Sequence, residues 1–151
     1  MRIRKFRNQD AKQVCNVLRR SQKEVLSKYY KKVIIDTFCK RITQKRMIQR
    51  AKEQEIFVAV EGKRVLGING LIGNEIRRFH VLPNYHGKGV GKLLMQNVER
   101  IARERGIRKL IVKSSINAEG FYKKMGFKRV RKIMEAVENV RFPAILMQKR
   151  L

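Results

Sequence analysis

Three glycines at alternate positions, Gly87, Gly89 and Gly91, form the most distinctive local pattern in the chain. An apolar run at residues 76–82 leads into them, and a strongly amphipathic pattern follows them at once. Since glycine has no Cβ, the backbone N–H groups of such a turn can approach a ligand closely. Free amides and the positive end of a helix dipole together attract phosphate. The residues therefore predict a phosphate-binding turn, with an ordinary strand-to-helix turn as the alternative.

The spacing of apolar residues predicts the elements that hold this turn. Strand patterns occupy residues 2–6, 56–60, 65–72, 75–82, 110–112, 127–134 and 143–148. Helical patterns follow Asp10 and Thr43, each a candidate N-cap, and also cover residues 30–42, 90–105 and 117–125. Strands that first meander and then alternate with helices indicate an α+β fold, with a mixed α/β sheet and helices on its faces.

Periodicity also assigns faces to the two elements around the glycines. The helix after the turn has a predicted core stripe of Val90, Leu93, Leu94, Val98, Ile101 and Ala102. Strict alternation in the strand before the turn puts one set of side chains on the first face, namely Arg77, Phe79 and Val81. The opposite face then carries Arg78, His80 and Leu82. Residues 135–142 are expected to form a loop.

Length and composition indicate one globular domain without a membrane segment. The chain has 151 residues, of which 43% are apolar, and no apolar run approaches the roughly 20 residues that span a bilayer. Residues 1–6 lack the apolar stretch of a signal peptide. Cys15 and Cys39 are too few for a disulfide framework, which favours free thiols in a reducing cytoplasm.

The charge balance indicates attraction to polyanions. There are 38 Lys and Arg residues against 12 Asp and Glu residues, so the formal net charge is +26. Acids are too scarce to pair with most of the basic side chains, unlike the mixed ion-pair networks of thermophile surfaces. The excess predicts a phosphorylated cofactor, nucleic acid or a ribosome as partner. No nucleic-acid-binding motif is present, and the basic residues are spread along the whole chain.

Two motifs together resemble a known family. The glycine turn reads HGKGVG from His86 to Gly91, and about 25 residues downstream the chain reads SINAEGFYKKMGF from Ser115 to Phe127. Both motifs and the order of the elements resemble the GNAT superfamily of acetyl-CoA-dependent N-acetyltransferases, over essentially the whole chain. The resemblance implies a single N-acetyltransferase domain at residues 1–151, with a central, mostly antiparallel twisted sheet of about seven strands and helices on both faces. It also implies acetyl-CoA as the cosubstrate.

The resemblance further implies which residues contact coenzyme A. Its pyrophosphate would lie against the loop opened by His86, on the amides of Gly87, Lys88, Gly89, Val90, Gly91 and Lys92. Its pantetheine arm would pair with the open strand at Phe79, His80 and Val81, and the Val81 N–H would point at the thioester carbonyl. In the downstream motif Ser115 takes the place of the family's asparagine, and Asn117 lies two residues later. Both are candidate coenzyme A contacts, together with Tyr122.

The resemblance suggests two catalytic residues. Tyr122 matches the position that protonates the departing thiolate in many members, and a phenol with a pKa near 10 is a suitable acid. The alternative is that Tyr122 only packs beside the cofactor. Glu75, 11 residues before His86, matches the general-base glutamate of GNAT histone acetyltransferases. The alternative is an exposed surface residue. His80 is a weaker candidate base, since an isolated histidine on a strand is more often structural.

Three functional classes remain open on these grounds. The first is an acyltransferase that moves the acetyl group directly to a primary amine in a ternary complex, as a monomer or a homodimer. In the family, the segment at residues 29–51 shapes the acceptor pocket, and here it is rich in Lys and Arg. This composition disfavours polycationic acceptors and favours a protein N-terminus, a lysine, or a small amine with an anionic part. The other classes are a nucleic-acid- or ribosome-binding module and a non-catalytic acyl-CoA sensor.

Overall fold

A computed structural model describes residues 1–151, and its strands form one seven-stranded sheet. The strands are β1 (Arg2–Lys5), β2 (Glu55–Glu61), β3 (Arg64–Ile72), β4 (Glu75–Val81), β5 (Lys109–Ser114), β6 (Lys128–Val137) and β7 (Val140–Arg150). They lie in the order β1-β2-β3-β4-β5-β7-β6. Only β4 and β5 are parallel neighbours, and every other neighbouring pair is antiparallel. The expected mostly antiparallel sheet of seven strands is confirmed.

Five α-helices accompany the sheet. They are α1 (Ala11–Glu24), α2 (Lys32–Lys40), α3 (Gln44–Glu53), α4 (Val90–Glu104) and α5 (Glu119–Lys124). Helices α1 and α4 both pack on β3 and β4, α2 packs on β7, and α5 packs on β6. Short 3₁₀ turns precede α4 at Pro83–Tyr85 and α5 at Ile116–Ala118. None of these helices combines the length and the apolar character needed to cross a lipid bilayer.

The buried face of α4 follows most of the predicted stripe. Four of its members are almost fully buried, namely Val90, Leu94, Val98 and Ala102. Leu93 and Ile101 are only half-buried, while Met95 is buried although the stripe did not include it. Glu99 is also buried, and its carboxylate is compensated by Lys149 Nζ, which donates to it at 2.6 Å. The buried face of α4 is therefore wider than the predicted stripe, and Lys149 of β7 supplies the partner charge for Glu99.

One of the two predicted helix caps is correct. The Arg46 N–H donates to Thr43 Oγ1 at 3.2 Å, so Thr43 caps α3 as predicted. Asp10 precedes α1 but does not cap it with its side chain. Its carboxylate instead accepts two hydrogen bonds from Arg4, at 2.8 and 2.9 Å, and one from the Arg7 N–H at 2.8 Å. Burial opposes its ionisation, but these bonds outweigh burial and lower the pKa of Asp10.

The expected loop at residues 135–142 is wrong. Strands β6 and β7 continue their pairing through this segment as far as Val137 and Val140. Only Glu138 and Asn139 form the turn, with φ angles of 49° and 67°. Two consecutive residues with positive φ match the twist of a tight hairpin, and asparagine tolerates this conformation. The mixed, partly exposed side chains of these strands hide the hairpin in the sequence.

Tyr30 fastens the segment before α2 to the sheet. Its ring is buried, and its hydroxyl donates to the Pro143 carbonyl of β7 at 2.7 Å. The same hydroxyl accepts from the Ile116 N–H at 2.9 Å, just before α5. A single phenol therefore connects three segments that are distant in sequence.

Replacing Tyr30 with phenylalanine should lower the free energy of unfolding by about 1–3 kcal/mol, since two buried backbone groups lose their partner. Urea denaturation at pH 7 measures the change. Tyr29→Phe is the matched control, because the Tyr29 side chain is 54% exposed. Equal stabilities of the two variants would contradict the connecting role of Tyr30.

Candidate active site

The glycine turn presents an uninterrupted row of free backbone donors. Six consecutive N–H groups have no acceptor in the protein, those of Gly87, Lys88, Gly89, Val90, Gly91 and Lys92. The first paired amide after them is that of Leu93, which donates to the Gly89 carbonyl at 3.1 Å. A free helix leaves only its first four amides unpaired, so this turn extends the row by two residues. Such a row is suited to a ligand with several anionic oxygens.

Two different physical constraints require the glycines of this turn. Gly87 and Gly89 have φ angles of 74° and 85°, in the left-handed region where side chains are disfavoured. At Gly91 the constraint is packing, because an added Cβ would lie 2.9 Å from Cε1 of Phe121. The sequence predicted only the approach of phosphate as the reason for these glycines. The contact with Phe121 in addition fixes α5 against the start of α4.

The side chains around the turn are cationic and ordered by Tyr85. Lys88 Nζ lies 5.1 Å from the centre of the Tyr85 ring, and the Arg64 guanidinium lies 5.2 Å from it. Arg64 also donates to the Tyr85 hydroxyl at 3.2 Å. His86 faces the strand rather than the free amides, since its Nε2 donates to the Val81 carbonyl at 3.1 Å. The positive charges of Lys88 and Arg64 therefore add to the attraction of the free amides for an anion.

Strand β4 separates from β5 soon after they meet. The two strands pair only at Glu75 with Ile111 and at Ile76 with Val112. Beyond Ile76, β4 pairs only with β3 while β5 pairs with β7. The edge of β4 that faces β5 is therefore unpaired from residue 77 to residue 81. An open strand edge can pair with an extended ligand.

A bulge in β4 overturns the predicted faces of this strand. The pairing with β3 shifts between Ile68 and Gly70, and Arg78 adopts a φ angle of 51°. The alternation therefore breaks at Arg78. As a result Phe79 shares the apolar cluster of Ile76 rather than following Arg77 in strict alternation. The pattern could not reveal this because a bulge depends on the partner strand.

The open edge of β4 borders a cavity of about 510 Å³. Residues of β4, β5, β6 and β7 line it, together with residues of α1, α2 and α3. The predicted site residues that line it are Glu75, Phe79, His80, Ser115 and Tyr122. The glycine turn lies outside this lining. The arrangement thus comprises a donor-rich turn, an open strand and a cavity along the same strand.

Tyr122 is buried in an aromatic group at the cavity wall. Its ring centre lies 5.3 Å from that of Phe121, 6.0 Å from that of Phe79 and 5.6 Å from that of Phe127, all edge to face. Only 4% of the residue is exposed, and no protein group hydrogen-bonds its hydroxyl. Burial raises the pKa of the Tyr122 phenol, which keeps the hydroxyl protonated.

Glu75 and His80 have different environments in the same cavity. The Glu75 carboxylate lies 3.0 Å from the Arg77 guanidinium and 3.7 Å from Lys113 Nζ. His80 Nδ1 is hydrogen-bonded to Ser21 Oγ of α1 at 2.7 Å. Burial, assisted by the charge of nearby Arg78, lowers the pKa of His80 to about 4, so its ring is neutral near pH 7.

The two downstream candidates differ in their surroundings. Ser115 lines the cavity, whereas Asn117 does not. The Asn117 side-chain oxygen is buried and has no hydrogen-bond partner. Cys15 and Cys39 remain free, and burial raises the pKa of both thiols. Neither thiol is therefore suited to act as a nucleophile.

The polar groups of the other cavity wall were not among the predicted site residues. They are Gln22 of α1, Arg41 after α2, Arg46 and Arg50 of α3, and Arg78 of β4. The basic composition of residues 29–51 indicated the three arginines of this segment as a group, and the helical spacing of Arg46 and Arg50 places both on one face of α3. The orientation of Arg78 depends on the bulge and had no local signal.

Comparison with known proteins agrees with this architecture. The family model described as the acetyltransferase (GNAT) domain matches residues 19–151. An uncharacterized N-acetyltransferase of Chlorobaculum tepidum is 38% identical over 58 residues, which make up 38% of this chain and 36% of that relative. A further curated relative, from Bacillus subtilis, is covered over 50% of its length. The chain thus spans half or less of these two relatives.

Two solved structures share the fold at low sequence identity. A GCN5-related N-acetyltransferase from Rhodopseudomonas palustris has a TM-score of 0.92 and is 22% identical, with 99% of this chain and 94% of that chain covered. The PaiA N-acetyltransferase of Thermoplasma acidophilum, crystallised in complex with coenzyme A, has a TM-score of 0.78 and is 21% identical, with 99% and 98% covered. With the family model matching most of its length, the chain belongs to the GNAT acetyltransferase family.

Proposed function

We propose that this chain is a single N-acetyltransferase domain that transfers an acetyl group from acetyl-CoA directly to a primary amine. The observation that carries the proposal is the row of six free amides from Gly87 to Lys92, adjoining the open edge of β4. Membership of the GNAT family supports acetyl-CoA as the donor. The related fold of the Thermoplasma protein, which was crystallised with coenzyme A, supports the same donor.

The residues present fit coenzyme A by their chemistry. The amides of the glycine turn would hold the pyrophosphate, with Lys88 and Lys92 adding positive charge. The open edge at Phe79, His80 and Val81 would pair with the amide groups of the pantetheine arm. His86 holds the Val81 carbonyl, which fixes the end of that edge. Ser115 and Asn117 are additional contacts in this proposal.

When bound, acetyl-CoA supplies a thioester whose carbon accepts the amine while its sulfur leaves as a thiolate. The Val81 N–H would stabilise the negative charge that develops on the carbonyl oxygen. Tyr122 would donate its phenolic proton to the departing sulfur, because its hydroxyl is unpaired and protonated, although the raised pKa makes it a weaker acid than a free phenol. Glu75 would take the proton that the amine loses, directly or through water. His80, with a pKa of about 4, is too weak a base for this role.

A second candidate function, association with nucleic acid, is favoured by the unpaired charge. Ten of the 12 acidic side chains form ion pairs, and these engage only 12 of the 38 basic side chains. The remaining positive charge is distributed over the surface and is available to a polyanion. This association is compatible with acetyl transfer, because it does not require the glycine turn.

Gly89→Ala should raise the KM for acetyl-CoA by about tenfold or more, because a Cβ at a left-handed residue strains the turn and crowds the free amides. Steady-state kinetics with a fixed amine measures the effect. Gly106→Ala is the matched control, since Gly106 also has a positive φ of 72° and open space around it. It ends α4, far along the helix from the turn. An equal rise in KM for both variants would remove the turn from coenzyme A binding.

Tyr122→Phe should lower kcat by about 100-fold with little change in acetyl-CoA affinity, since the shape is kept and only the acid is lost.

Glu75→Gln should lower the rate near pH 7 and recover part of it near pH 9, where more of the amine is already deprotonated. Rates of thiol release between pH 7 and 9 distinguish the two roles.

Tyr29→Phe is the control for both variants, because Tyr29 is exposed. Unchanged kcat in Tyr122→Phe would assign Tyr122 to packing alone. Wild-type protein that binds acetyl-CoA but acetylates no amine would favour the non-catalytic sensor instead.

Binding of a single-stranded RNA of mixed sequence should weaken by more than about tenfold when salt rises from 50 to 200 mM, because release of counterions drives such binding. Fluorescence anisotropy of a labelled RNA measures this affinity. Acetyl transfer, which depends on local contacts, should change much less over the same range. RNA binding that is absent at 50 mM salt would exclude this second function.

A further inference from the structure

One wall of the cavity carries a cluster of arginines, defined here as the arginine wall: Arg41, Arg46, Arg50, Arg77 and Arg78. The only carboxylates that line the cavity are Glu75 and Glu135. Glu75 pairs with Arg77, and Glu135 pairs with Lys113 at 3.3 Å. Arg41 meets only Glu138, at 3.9 Å and outside the cavity lining. Arg46, Arg50 and Arg78 form no ion pair, so the wall keeps an excess of positive charge.

Arg78 is the least compensated member of the arginine wall. It is partly buried, its φ angle of 51° is strained, and its guanidinium donates to the neutral Gln54 amide rather than to a carboxylate. Burial and the nearby charge of Arg50 lower its pKa to about 10. Burial likewise lowers the pKa of Arg50, with a contribution from Arg41. Buried charges are normally paired, whereas Arg50 and Arg78 are both partly buried and have no carboxylate partner.

A second polar group lines the same cavity from α1. The Gln22 side chain is 93% buried, and its Oε1 has no hydrogen-bond partner. A buried carbonyl oxygen without a donor is costly, and native structures usually satisfy it with protein, water or ligand. This oxygen is enclosed by protein, so the unpaired polar groups that line the cavity are the arginines.

We propose that the acceptor is a small amine that also carries an oxyanion, either a carboxylate or a phosphate. This inference rests on the proposed acetyl transfer and specifies its second substrate. The guanidinium groups of Arg50 and Arg78, which line the cavity without a carboxylate partner, bind the oxyanion. The positive wall repels acceptors whose body is cationic, since like charges in a partly buried site repel each other strongly.

Binding to the coenzyme A-saturated protein provides the first test. Isothermal titration calorimetry compares amines with and without an oxyanion: O-phosphoethanolamine with ethanolamine, and β-alanine with its amide. At least one oxyanion-bearing member should bind about tenfold or more tightly than its neutral counterpart. The phosphate pair and the carboxylate pair distinguish the two sources of the oxyanion.

Variants identify the residues responsible. Arg50→Gln should weaken binding of the preferred anionic amine by about 10- to 100-fold and leave the neutral counterpart unchanged. Arg50→Lys should recover part of the loss, because it restores charge without the bidentate geometry. Arg100→Gln is the matched control, because Arg100 lies exposed on α4 and its replacement removes the same charge as the replacement of Arg50. Thermal melts confirm that each variant is folded.

The outcomes separate this inference from the proposed function. Failure of coenzyme A itself to bind would overturn the proposed function. Binding of coenzyme A together with equal or stronger binding of the neutral amines would overturn only the anionic acceptor. The anionic acceptor would also be overturned if no anionic amine binds, or if a peptide N-terminus binds better than every anionic small amine. Equal effects of Arg50→Gln and Arg100→Gln on binding would overturn it as well.

Discussion

The separation of β4 from β5 after two residue pairs is the constraint on which the candidate site depends. A fully paired β4 would leave no free strand edge and no cavity between the two halves of the sheet. The separation exposes that edge and ends at a turn with six free amides. The same strand thus provides both an edge for an extended ligand arm and a donor-rich site for its phosphates.

Packing outside the site maintains this opening. Gly91 allows Phe121 to lie directly against the start of α4, and Phe121 in turn packs against Tyr122 at the cavity wall. On the other side, the Tyr30 hydroxyl joins β7 to the segment before α5. The positions of the turn and of the buried phenol are therefore coupled through side-chain contacts rather than through the strand edge itself.

Local spacing in the sequence predicted the features whose physics is local. The strand order along the chain, the glycine turn and the Thr43 cap all depend on neighbouring residues, and the structure agrees with them. The bulge at Arg78 and the contact of Gly91 with Phe121 depend on partners distant in sequence. The unpaired oxygen of Gln22 likewise depends on residues that are distant in sequence. The hairpin turn at Glu138 and Asn139 was missed because its strands are too exposed to show an apolar pattern.

Backbone amide chemical shifts during titration with coenzyme A test the central claim most directly. Saturation should produce the largest shifts and the strongest protection from hydrogen exchange in the amides from Gly87 to Lys92, with smaller changes at Phe79–Val81. Shifts concentrated on the exposed basic residues of β6, namely Lys128, Arg129, Arg131 and Lys132, with residues 87–92 unchanged, would contradict the account.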